Sequence, residues 1–132
     1  PLFDIRNNSI VETATNRLIA GAAHSSKIHE SVTTIGKEAF YESCIASVDL
    51  HAGVTMIEDY AFDYSDITQI ICRATTPPTL GESPFRLTNY SGRMKVPEES
   101  ISLYRSSWFL TDVGYLGWTN YRWGLVALAE GE

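Results

Sequence analysis

The 132-residue chain has only two cysteines, two methionines and 10 basic residues against 16 acidic ones. Each scarcity closes a class of function. A membrane-crossing helix needs roughly 18–20 consecutive apolar residues, and no run approaches that length, so membrane insertion is not expected. A formal net charge of −6 repels phosphate backbones, and no Lys/Arg cluster offsets it. Nucleic acid and anionic membrane surfaces are therefore excluded as expected partners. Cys44 and Cys72 form no CxxC pair, which removes that kind of zinc site. The chain also lacks a G-x-S-x-G elbow, a Gly-rich phosphate loop and calcium-loop spacing. No cofactor is implied, and the expectation is a protein that is not an enzyme.

What is present is a folded-protein composition, 44% hydrophobic and 20% charged, long enough to bury the core of a single domain. Within it a stretch repeats at a spacing of 22 residues. Val32 falls on Val54, Ile35 on Ile57, Ala39 on Ala61 and Phe40 on Phe62; Ile45 falls on Ile67, Val48 on Ile70 and Leu50 on Cys72. Every matched pair is apolar while the residues between change freely. Self-similarity of fixed period means that one structural unit is stacked on a copy of itself.

Each unit has two limbs. Ile45-Ala-Ser-Val48-Asp-Leu50 and Ile67-Thr-Gln-Ile70-Ile-Cys72 follow LxxLxL and end in strand-like alternation. Copies of such a strand must lie parallel, about 4.8 Å apart, with Val48 and Leu50 inward. The limb Val32–Phe40, echoed by Val54–Phe62, has apolar spacings of three, four and one, which suit a bent segment with a turn of helix. Phe40 and Phe62 are expected to stack. Beyond Cys72 the period slips: Leu80 and Phe85 fall 23 residues after Ile57 and Phe62, and Met94-Lys-Val96 falls 24 after Ile70 and Cys72. Pro77-Pro78 makes a rigid turn, and Pro97 opens a short helix over Glu98–Ser106 with acids in its first turn. The expected organisation is one domain over 1–132, with an N-terminal cap over 1–27, repeats over 28–96 and a C-terminal cap over 97–132. The C-terminal cap would end in a strand over Tyr121–Leu128.

The LxxLxL strands and VTxIGxxAF limbs resemble bacterial leucine-rich repeats of the BspA-like type. Ala74-Thr-Thr-Pro-Pro-Thr-Leu80, Phe85, Lys95-Val-Pro97, Ser100, Tyr104 and Trp108 resemble the closing module of such proteins, and Asn16–Gly21 the segment that opens them. The chain departs from the pattern after the strands, where His29, His51 and Arg73 stand in place of the proline or other small residue usual in that family. The resemblance implies an α/β repeat fold, a right-handed solenoid dominated by strands. Its parallel sheet would face short helices or turns on the opposite limb, between atypical caps. It also implies a secreted or surface-displayed bacterial protein that acts in adhesion or protein binding. The chain begins at Pro1 without a signal peptide, so a mature form or a piece of something longer is expected.

Candidate binding residues follow from the outward strand positions, because stacked repeats commonly bind on that extended face. These are Ser47, Asp49, Thr68, Gln69 and Ile71. Trp118, Tyr121 and Trp123 join them, since tail aromatics either anchor a partner, stack on a sugar or seal the open end of the stack. The partner is an unidentified protein or surface ligand. Self-association as a structural spacer, or carbohydrate binding through the tail, are the alternatives. His29, His51 and Arg73 lie 22 residues apart and should form a ladder on one edge; two stacked imidazoles can share a metal, but the arginine repels a cation. Asp59, Asp63 and Asp66 read as a solvated acidic edge. Tyr41, Tyr60 and Tyr64 are offset by one position and should form no ladder. Both cysteines read as free, buried thiols.

Overall fold

The 22-residue spacing becomes strand register. The computed structural model describes residues 1–22, 27–85, 93–108 and 124–132. Its strands are β1 (Phe3–Arg6), β2 (Ser9–Glu12), β3 (Arg17–Ala20), β4 (Thr34–Ile35), β5 (Ser47–Leu50), β6 (Met56–Ile57), β7 (Gln69–Cys72), β8 (Thr79–Leu80), β9 (Arg93–Val96) and β10 (Gly124–Ala127). A 3-10 turn over Glu98–Ser100 leads into the helix α1 (Ile101–Trp108). From β4 to β9 the chain alternates between two sheets. One has the order β1-β2-β3-β4-β6-β8 and the other β10-β9-β7-β5. β5 pairs with β7 in parallel, Val48 opposite Ile70 and Leu50 opposite Cys72, as the 22-residue step requires. The slippage is also literal: Ile57 pairs with Leu80 and Ile70 with Met94, steps of 23 and 24.

The limb opposite the LxxLxL strands differs from the bent, partly helical segment that its spacings suggest. It carries the two-residue strands β4, β6 and β8, which form a parallel ladder of their own, followed by turns. Two residues are too few to show alternation in sequence; stacking makes the ladder. Thr55 N–H donates to Thr33 O at 2.8 Å and Glu58 N–H to Ile35 O at 2.9 Å, each bond joining one coil to the next. The turns repeat as well. Glu38 and Tyr60 have φ of 56° and 54°, and Glu42 and Tyr64 have 56° and 58°, so left-handed positions recur at the same 22-residue step. Ordinary residues occupy them at a cost of about 1–2 kcal/mol each, which is why no glycine marks them in the sequence.

Burial follows the repeat. All seven matched pairs lie in the core, from Val32 and Val54 to Leu50 and Cys72. Phe40 and Phe62 stack at 4.9 Å with planes 5° apart, and Phe85 continues the column at 5.4 Å and 6°. Trp108 closes it at 5.9 Å, held by its Nε1–H donating to Pro78 O at 3.0 Å. Tyr104, on the same buried side of α1, donates its hydroxyl to Ala74 O at 2.7 Å. Each ring thus brings a satisfied polar tip into the core. The helix runs to Trp108, two residues beyond the expected Ser106, because Trp108 is needed to cover Phe85.

At the N-terminus β1 and β2 form a hairpin that extends the sheet antiparallel to β3. Asn7 and Asn8, both at positive φ, make its two-residue turn. Val11 and Leu18 are buried beneath it. The final strand appears as Gly124–Ala127, parallel to β9; residues 121–123 lie outside the described ones.

Three side chains correct the sequence reading. Cys44 is exposed rather than buried, because the residue before the core position Ile45 sits on the outside of the bend. Asp63 is only 1% exposed rather than solvated, since it lies in the turn behind Phe62, where its carbonyl accepts Glu42 N–H. Tyr41 and Tyr64 do meet, edge to face at 5.6 Å, because long side chains reach a diagonal neighbour across stacked coils.

Two measurements check this core. Phe62→Ala, which removes the middle ring of the column, is expected to cost about 3–5 kcal/mol of stability in urea denaturation. Burial pushes the Cys72 thiol up to about 12, whereas Cys44 is open to solvent. A thiol-reactive dye should therefore label Cys44 in the native protein and Cys72 only after unfolding.

Candidate binding surface

Parallel pairing sorts the outward side chains of the four-stranded sheet into rows. Ser47, Gln69 and Arg93 form one row, and Asp49, Ile71, Lys95 and Val126 the next. Lys27 bridges to Asp49 in parallel and extends the second row beyond β5. Successive members lie one strand spacing apart, about 4.8 Å. The expected residues Ser47, Asp49, Gln69 and Ile71 are therefore brought together on one face, each half-buried among its neighbours. Thr68 precedes β7 at the rim, exposed, with its hydroxyl donating to Ala46 O at 3.2 Å. Trp118, Tyr121 and Trp123 lie outside the described residues.

The rows differ in what their charges do. Asp49 accepts from Arg73 Nε at 2.8 Å and from Nη2 at 2.9 Å, a bidentate pair across one repeat. That hydrogen bond raises the Arg73 guanidinium above its ordinary value. Arg73 Nη1 also donates to Glu132 O at 2.6 Å, and Lys95 pairs with the Glu132 carboxylate. The Lys95 hydrogen bond lowers that carboxylate, with a further contribution from Ala129 N–H. Asp49 is thus occupied with holding Arg73, and Arg73 and Lys95 hold the chain's last residue. Ser47, Gln69, Arg93 and Ile71 are not part of this network.

His29, His51 and Arg73 are brought together at one cleft. These residues, with Asn7, Lys27 and Asp49, line a cleft of about 480 Å³ at the strand ends. The two imidazoles do the same local work. Ser31 N–H donates to His29 Nδ1 at 3.2 Å and Gly53 N–H to His51 Nδ1 at 3.0 Å, each closing the turn that follows a strand limb. A ring nitrogen that accepts a backbone N–H carries no proton in the neutral ring, so Nε2 bears it in both. His51 Nε2 is buried and has no hydrogen-bond partner among the described residues. At both positions the histidine side chain makes the turn itself. No group of three or more His, Cys, Asp or Glu side chains among the described residues is arranged to hold a metal ion.

Sequence reasoning missed Arg93, Lys95, Val126 and Glu132. The 24-residue step to Met94-Lys-Val96 was legible, but its outward neighbours Arg93 and Lys95 were not carried onto the candidate face. Nothing local signals that Glu132 returns to Arg73.

Stacked coils joined by two parallel ladders, with a face of side chains that the core does not use, define a class of repeat-built binding scaffold. The family model described as BspA type leucine rich repeat region (6 copies) matches residues 21–113, more than two thirds of the chain, and the chain belongs to that family. No curated protein and no solved structure matches it. Such repeats serve typically as non-enzymatic protein-interaction scaffolds, and no helix among the described residues is long and apolar enough to cross a membrane.

The role of the Asp49–Arg73 pair is testable. Both side chains are about one-third exposed, at 27% and 34%. Asp49→Asn should change stability by less than about 1 kcal/mol, yet release the last residues. Amide exchange at Ala129 and Glu132 should accelerate while Leu50 and Ile70 stay protected.

Proposed function

We propose that the chain is a protein-interaction module of a secreted or surface-displayed bacterial protein, acting in adhesive contacts through the outer face of its four-stranded sheet. The observation that carries this reading is the row Ser47–Gln69–Arg93, in register across three strands and outside the ion pairs that organise the neighbouring row. Ile71 supplies an apolar centre beside it, and Thr68 a polar rim. Interfaces of this kind place a desolvated anchor within a ring of polar contacts. Asp49 shapes the face by holding Arg73. Trp118, Tyr121 and Trp123 belong to the same proposal as aromatic anchors supplied by the tail. The stack winds right-handed as one domain, with 1–27 and 97–132 covering its two ends.

The purified chain should bind members of an immobilised array of extracellular proteins. Ser47→Arg combined with Gln69→Arg should weaken that binding at least about tenfold, while the circular-dichroism melt stays unchanged. Binding confined to a glycan array, with tryptophan quenching that the double variant does not alter, would transfer the function to the aromatic tail.

A further inference from the structure

Four of the largest exposed apolar side chains on the described surface sit together on the N-terminal hairpin. Leu2, Phe3, Ile5 and Ile10 are 80, 48, 67 and 40% exposed. β1 is the outermost strand of the six-stranded sheet and pairs, among the described residues, with β2 alone. An edge strand that is both apolar and open is a template for another chain, and natural proteins usually blunt such edges.

The phase of the hydrogen bonds says what this edge offers. Thr13 N–H donates to Leu2 O at 2.9 Å, which makes Leu2–Thr13 a hydrogen-bonded pair of the antiparallel ladder. Alternation then makes Asp4–Val11 and Arg6–Ser9 hydrogen-bonded pairs, with Phe3–Glu12 and Ile5–Ile10 between them. The N–H and C=O groups of Phe3 and Ile5 therefore point away from β2, toward the open edge.

We propose that this edge pairs with β1 of a second copy of the chain, antiparallel about a two-fold axis at Ile5. A symmetric contact must set the strand against itself, and only a few registers bring the outward-pointing groups together. An axis at Asp4 places the two Asp4 carboxylates directly opposite each other, which is destabilising. An axis at Phe3 sets Ile5 against Pro1, which offers no ladder N–H. An axis at Ile5 sets Asp4 against Arg6 of the second copy, and Arg6 against its Asp4, in the closely spaced pairs of the ladder. Within one chain Asp4 and Arg6 already pair at 2.5 and 2.8 Å. Two copies thus create a square of alternating charges. On the other face Ile5 meets its own copy, flanked by Ile10 from each side, and a continuous apolar strip crosses the seam. The sequence Asp4-Ile5-Arg6 is complementary to itself when reversed, and that favours a second copy over an unrelated strand. In this register Phe3 faces the turn residue Asn7 of the second copy, so three residues of each strand pair and the interface is small and reversible, not obligate.

Sedimentation velocity on the whole 132-residue chain tests the pairing. A reversible monomer–dimer equilibrium is expected between micromolar and submillimolar concentration. Ile5→Lys should raise its dissociation constant at least about tenfold without altering the melt or the array binding described above. Asp4→Arg and Arg6→Asp should each weaken self-association, and an equimolar mixture of the two should restore it. In a Cys44→Ser background, Ile5→Cys should form a disulfide dimer on oxidation, because opposed hydrogen-bonded residues lie about 5.5 Å apart at Cα. A chain that stays monomeric throughout leaves the edge to a different occupant and overturns the proposal. So does a dimer indifferent to Ile5→Lys, a charge-swapped mixture that fails to reassociate, or an Ile5→Cys chain that remains monomeric after oxidation.

Discussion

The in-register stacking of one coil on the next is the constraint on which everything else rests. A strand in this fold satisfies few of its backbone groups within its own coil; they bond to the strand one repeat earlier and one repeat later. Turn backbones obey the same rule, as Phe40 N–H to Ala61 O and Phe62 N–H to Pro84 O, both at 2.7 Å, show. Buried backbone groups must be paired, so a coil cannot shift alone without leaving donors unsatisfied. The phenylalanine column is the side-chain form of that rule. Three nearly parallel rings are compatible only with coils that are translated and barely rotated.

This constraint separates residues that must be apolar from those free to vary. Inward positions are spent on stacking, so chemistry of recognition is left to outward strand positions, to the turns and to the ends. The outer sheet face shows a division of labour. Asp49, Arg73, Lys95 and Glu132 tie the C-terminal residues across the sheet, while Ser47, Gln69 and Arg93 stand in a row beside them. The histidines after the strands illustrate how a repeat position becomes structural by a local bond, each accepting the backbone N–H two residues ahead. Ends are a separate problem, because a stack of coils exposes a ladder wherever it stops. Here the C-terminal side places Trp108 over the ring column with Tyr104 against it, whereas the N-terminal side adds a hairpin whose outer strand pairs, among the described residues, with β2 alone.

Much of the fold was legible from the positions that repeat. Val48, Leu50, Ile70 and Cys72 could be assigned to facing strands because their spacing is the stacking distance expressed in residues. Met94 and Phe85 could be found despite the slip, since apolar identity survives an insertion. The second ladder through β4, β6 and β8 was not legible, because two-residue strands carry no periodicity. Cys44 and Asp63 were misplaced because local patterning cannot say whether a residue beside a bend faces out or into the next coil. Among the candidate binding residues, Ser47, Gln69 and Ile71 were readable as outward neighbours; the commitment of Asp49 to Arg73 was not.

By itself the sequence determined the period, the buried face of the LxxLxL strands and the family, all of which depend on side-chain identity at fixed spacing. Tertiary structure alone decided which outward side chains are occupied, that Glu132 returns to Arg73, and that Phe3 and Ile5 direct their backbone groups away from β2. Those outcomes depend on which atoms meet across coils and on the phase of a hydrogen-bonded ladder. Neither is encoded in spacing along the chain.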